Sequence, residues 1–142
     1  MLNLTNNTTQ ALKKKAITLP VFCFMALLLM SSNFAVDIFK EIENAFNIGN
    51  SKLVEGYLNS SIELETPTSK GIYSRSQAQI IIDKFFQKYP PRSFSIQHIG
   101  NASGGSRFAV GNYASHNEHV FRVTIHIKKF GSEYLIQVIK IE

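Results

Sequence analysis

"GIYSRSQAQIIIDKFFQKYPP", residues 71–91, changes character twice. "GIYS" reads as the end of an extended segment, the stretch after Ser74 reads as a helix, and Pro90 and Pro91 stop it, because proline removes a donor and restricts the residue before it. Ser74 and Gln77 stand three apart, the capping-box spacing, so the serine hydroxyl accepts from the Gln77 backbone while the glutamine amide reaches back. Losing that cap costs about 1 kcal/mol. Ala78, Ile81, Ile82, Phe85 and Tyr89 then fall on one side, with Phe86 at its edge and Asp83, Lys84 and Gln87 facing away. So broad an apolar stripe needs a sheet to lie on.

The sheet follows at once. "RSFSIQHI" sets Phe94, Ile96 and His98 on one face, and "RFAVGNYAS" does the same with Phe108, Val110 and Asn112. "HVFRVTIHIKKF" alternates Phe121, Val123, Ile125 and Ile127 with Arg122, Thr124, His126 and Lys128, and "EYLIQVIKIE" is apolar on both faces. Turn-rich "GNASGGS" and "SHNE" join these segments, which predicts a sequential antiparallel meander of four strands. Ahead of the helix, "DIFKEIENAFNIGN" carries an apolar stripe of Phe39, Ile42, Ala45 and Phe46 and stops at Gly49. A second short helix, "SKLVEGYL", groups Leu53, Val54, Tyr57 and Leu58, and "SIELETP" alternates as a strand that pairs with "GIYS" in a hairpin. Helices, hairpin, helix and four strands predict an α+β fold, with helices covering one face of a curved antiparallel sheet.

That segment order resembles the nuclear-transport-factor-two-like (cystatin-like) superfamily, whose helices and bent sheet form a cone. More narrowly, "GIYSRSQAQIIIDKFFQKYPPRSFSIQHIG", "RFAVGNYASHNEHVFRV" and "YLIQVIKIE" are similar to a family of small exported proteins of unknown function from Gram-negative bacteria. The likeness runs over nearly all of residues 37–142. It implies the cone fold and export, and it transfers no catalytic residue.

The N-terminal stretch carries Lys13, Lys14 and Lys15 ahead of an apolar run from Ala16 to Met30. This is the layout of a secretory signal, so residues 1–35 are expected to be a signal peptide and residues 36–142 the domain. The alternative is an inner-membrane anchor over residues 16–36. Fifteen residues at about 1.5 Å rise fall short of the roughly 30 Å hydrocarbon core, which favours the cleaved signal and a periplasmic or secreted product. Taking Lys13, Lys14 and Lys15 from the 15 basic residues leaves 12 against 10 acids. The apparent basicity therefore belongs largely to the export segment, and nucleic acid is a poor partner. Cys23, the sole cysteine, also lies there, so the domain is expected to stand without a disulfide.

Candidate chemistry is sparse. "HNEH" places His116, Glu118 and His119 in a hairpin loop rather than one helical turn apart, so loop polarity explains it better than a metal, and no cofactor is expected. "GNASGGS" has no helix after it to complete a phosphate cradle. The more telling pattern is one polar group at the end of each apolar row: His98 after Ile96, Asn112 after Val110, and Gln137 between Leu135 and Ile139. Converging inside a cone, with Tyr113 beside them and Phe85 overhead, they would form a pocket with a few directional contacts. The plainer alternative makes His98 and Asn112 rim residues. An isomerase- or dehydratase-like enzyme using His98 as base is the rival from another class. Finally, Tyr134, Ile136 and Val138 put a second apolar row on the last strand, which predicts a homodimer through the outer sheet face. The expectation is thus an exported binding or interaction module, with a small-molecule ligand or a second copy as partner.

Overall fold

In a computed structural model, residues 37–142 are described. The expected signal or anchor, and Cys23 with it, lie outside the described residues. The element order is α1 (Ile38–Asn47), α2 (Ser51–Tyr57), β1 (Leu58–Thr66), β2 (Ser69–Ser74), α3 (Arg75–Lys88), β3 (Pro91–Asn101), β4 (Ser106–Ser115), β5 (Val120–Phe130) and β6 (Glu133–Ile141). Among the described residues no helix is long and apolar enough to cross a membrane.

The three helices start as their sequences dictate. Asp37 Oδ1 accepts from the Phe39 N–H, Asn50 Oδ1 accepts from the Leu53 N–H, and Ser74 and Gln77 form the reciprocal capping box. Helix α3 ends at Lys88, before the double proline. Its buried residues are Ala78, Ile82, Phe85 and Phe86, with Ile81 half-buried against the core, so Phe86 belongs inside the stripe rather than at its edge. The second helix is shorter than expected, because Leu58 already belongs to β1, and Leu53 faces outward.

The strands form one six-stranded sheet in the order β2-β1-β6-β5-β4-β3. Strands β3 to β6 are the expected antiparallel meander, and β1 and β2 are the expected hairpin. The two units are joined by β1 running parallel to β6, with Leu64 beside Ile139, so the sheet is mixed rather than antiparallel throughout. A parallel pair needs a long connection, and here the meander itself supplies it.

Four irregularities bend the sheet around its helices: extra residues at Arg92 and Gln97 in β3, another at Gln137 in β6, and a gap in the β1–β6 ladder between Leu58 and Glu63. On the inner face Phe94, Ala109, Tyr113, Val123, Ile125, Ile136 and Ile139 meet Phe39, Ile42 and Phe46 of α1 and Ile82, Phe85 and Phe86 of α3 in a single apolar core. Helix α3 therefore roofs the sheet as its stripe demands.

Candidate functional site

The five candidate site residues do not converge. In β4 the buried positions are Ala109, Gly111, Tyr113 and Ser115, so Phe108, Val110 and Asn112 take the outer face, the reverse of the expected parity. The inward position at Gly111 explains the reversal: a Cβ there would stand 2.8 Å from the Phe94 ring and 2.7 Å from the Ser95 carbonyl oxygen. The large residues are thereby confined to the other side. His98 follows the bulge at Gln97, pairs with Val110 and is exposed, so it leaves the face of Phe94 and Ile96.

Tyr113 and Phe85 do face each other across the core, 5.2 Å between ring centroids. Both are fully enclosed by other rings, and the Tyr113 hydroxyl donates to the Tyr89 carbonyl oxygen at 2.5 Å. Burial pushes the Tyr113 phenol well above its ordinary range, so it stays a neutral structural donor. Gln137 occupies the β6 bulge, where its Oε1 accepts from Asn59 Nδ2 at 3.2 Å and its Nε2 is buried without a partner. The bulge also revises the last strand. Tyr134, Ile136, Ile139 and Ile141 turn inward while Leu135 and Val138 turn outward, in place of an outer row of Tyr134, Ile136 and Val138.

In the β4–β5 loop, His119 lies against the rings of Tyr89 and Phe121, at 5.0 and 6.2 Å, and Ser115, fully buried, accepts from the His119 N–H at 3.0 Å. Glu118 adopts a positive φ of 67°, which completes the turn. The loop's polar groups close the turn and tie it to the end of α3, with Asn117 Nδ2 donating to the Lys88 carbonyl and the His116 N–H to that of Pro90.

Two surfaces remain where ligand or partner chemistry is open. One is a shallow groove of about 200 Å³ lined by Asp37, Phe39, Lys40, Glu43, Ile96 and Ile99, along the free edge of β3. Part of that edge is already occupied by α1. Asn47 acts as a surrogate peptide, its Nδ2 donating to the Phe94 carbonyl and its Oδ1 accepting from the Phe94 N–H, both at 2.7 Å. Glu43 Oε1 accepts from the Ile96 N–H at 2.8 Å. Partial burial pulls the Glu43 carboxyl upward, but the Ile96 N–H and Lys40 outweigh it and hold the group below its ordinary value. Nothing in the sequence pattern marked Asn47 and Glu43, since both are polar residues flanking the apolar stripe and act through tertiary contact.

The second surface is the outer face of the meander. Phe108 lies over Gly100, where a Cβ would stand 2.4 Å from the ring, and His98 and His126 flank it at 5.8 and 5.9 Å. Val110, Leu135 and Val138 are half-buried on the same face, and Ile72 at its β2 margin is 77% exposed. Charges border this patch: Glu63 pairs with Lys140 at 3.4 Å and Glu65 with Lys70 at 2.9 Å.

Three helices on one face of a curved mixed sheet, with a ring-filled interior, define an α+β cone of the NTF2-like class. The structure is similar to an NTF2-like protein of unknown function from Shewanella baltica, with a TM-score of 0.56 at 14% identity over 75% of this chain and 88% of that one. Within that class the chain belongs to the DUF4783 family, a domain of unknown function whose match spans residues 39–142. A DUF4783 protein from Bacteroides ovatus is 28% identical, with a TM-score of 0.66, covering 71% of this chain and 90% of that one. A putative calcium/calmodulin dependent protein kinase II association domain from Xanthomonas campestris has a TM-score of 0.55 at 17% identity, covering 73% and 81%. Among curated proteins there is no match.

Proposed function

We propose that the protein is an exported interaction module that pairs, outer sheet face to outer sheet face, with a second copy of itself. The observation that carries this reading is a pair of apolar strips on the side of the sheet opposite the helices, Phe108 and Val110 on β4 and Leu135 and Val138 on β6, which flank the Thr124, His126 and Lys128 row of β5. An antiparallel sheet with one covered face ordinarily turns polar residues to water on the other. Apolar strips left uncovered on a sheet face mark a contact site. The filled core favours a surface role over a ligand held within the cone, because Phe85, Tyr113 and their neighbouring rings occupy the space between helix and sheet. The fold's likeness to an association domain is consistent with an assembling role. Export rests on the lysine triplet and apolar run of residues 13–30.

Sedimentation velocity at micromolar concentration tests the pairing. The wild type is expected to run as a dimer, and Val138→Glu, which sets a carboxylate in the β6 strip, is expected to run as a monomer with an unchanged thermal transition. A monomeric wild type overturns the reading. The N-terminus of the mature protein, found by mass spectrometry of the periplasmic fraction, tests export: a chain that starts at Met1 and stays in the cytoplasm removes that part.

A further inference from the structure

Near the start of β4, one end of the cone holds a cation with no anion among the described residues. Arg107 is on the inner face, in register with Ala109 and Tyr113, and half-buried. Its guanidinium lies over the Phe39 ring at 4.9 Å from the centroid and 6.0 Å from that of Tyr134. Among the described residues it joins none of the ion pairs, which link Lys40, Lys52, Lys70 and Lys140 to glutamates. The one side-chain nitrogen both buried and unpartnered among them is Gln137 Nε2, so the Arg107 nitrogens reach solvent.

The Phe39 and Tyr134 rings hold the guanidinium by cation–π contact, and among the described residues no carboxylate pairs with its N–H groups. A guanidinium held between rings keeps the planar donor fork that grips a carboxylate through two parallel hydrogen bonds. Asn101, opposite Arg107 in the β3–β4 ladder and exposed, adds an amide donor on the same face. Arg107 and Asn101 stand outside the groove's lining, but Phe39, under the guanidinium, is one of its walls together with Ile96 and Ile99, so an apolar group attached to that carboxylate has a place to lie across Phe39. The two acids of the groove are already engaged: Asp37 caps α1, and Glu43 is bound by Lys40 and the Ile96 N–H.

We propose that Arg107, with Asn101, receives the carboxylate of a small organic acid whose short apolar tail runs along Phe39, Ile96 and Ile99. A groove of about 200 Å³ suits a fragment-sized ligand and is below the usual range for larger ones. The site is on the inner side of the sheet and is independent of the outer-face pairing.

The test is a titration of the isotope-labelled protein with hexanoate and with neutral hexanamide, followed by the Arg107 Nε–H and the Ile99 and Asn101 amide resonances. Hexanoate is expected to move all three saturably and hexanamide to leave them in place. Arg107→Met keeps an apolar stem on Phe39 but removes the fork, and is expected to weaken the hexanoate response by about tenfold or more. Equal responses to the two probes, no saturable response, or an undiminished response in folded Arg107→Met overturns the proposal. Should that variant fail to fold, the two-probe comparison on the wild type still decides.

Discussion

The two ends of the cone are built on different terms. At the end near Ser115, rings meet rings: Phe46 contacts Phe86 and Phe94, and Phe85 contacts Tyr89, Tyr113 and Phe121, with centroids 4.8–5.4 Å apart when the Tyr89–Phe121 pair is included. Buried polar groups there have fixed partners, among them the Tyr113 hydroxyl on the Tyr89 carbonyl and the Asn47 amide on Phe94. At the end near Arg107 the rings thin to Phe39 and Tyr134, and a guanidinium fills the space between helix and sheet. Helix α1 connects the two, with Phe39 at one and Phe46 at the other. The first end has its stability fixed by internal contacts, whereas the second keeps hydrogen-bonding capacity for something outside the chain.

Breaking the closed end should have the largest effect. Phe85→Ala removes the ring shared by Tyr89, Tyr113 and Phe121 and leaves a cavity, so urea unfolding is expected to lose about 4 kcal/mol. A loss under about 1 kcal/mol would mean that the ring cluster collapses freely and that the two ends are alike.

Asn47→Ala comes next. It strands the Phe94 N–H and carbonyl on the β3 edge and is expected to cost about 2 kcal/mol, with faster amide exchange at Phe94. Unchanged exchange there would show that α1 does not hold the edge.

Glu43→Gln sharpens the comparison through pH. Because the folded carboxyl sits below its ordinary value, Glu43 contributes stability that is full above the unfolded value, about 4.3, and is lost as pH falls through the depressed folded one. The variant should be less stable than wild type by about 1 kcal/mol at neutral pH, with the gap closing in acid. A gap that stays constant with pH would assign the loss to packing alone.

Legibility followed local regularity. Strand β5 alternates without interruption, and Phe121, Val123, Ile125 and Ile127 are buried as their spacing requires. Helix α3 was equally plain, since Ser74, Gln77 and the double proline fix its ends by short-range chemistry. The candidate pocket was not legible. Single extra residues at Gln97 and Gln137 reverse the face of everything beyond them, and no local signal distinguishes a bulge from regular strand in these segments. In β4 both faces carry apolar residues, so pattern alone could not choose between the Phe108 row and the Ala109–Tyr113 row. The Phe94 ring pressed onto Gly111 made the choice.

From its sequence alone the chain specified helices with defined ends, a hairpin, a four-stranded meander and the layering of helix on sheet, because capping, proline stops and apolar period act over a few residues. Only the tertiary structure decided that β1 lies parallel to β6, that His98 and Asn112 face outward, and that Arg107 is caught between Phe39 and Tyr134. Those outcomes depend on which distant segments share limited space, a quantity that appears only once the chain has closed on itself.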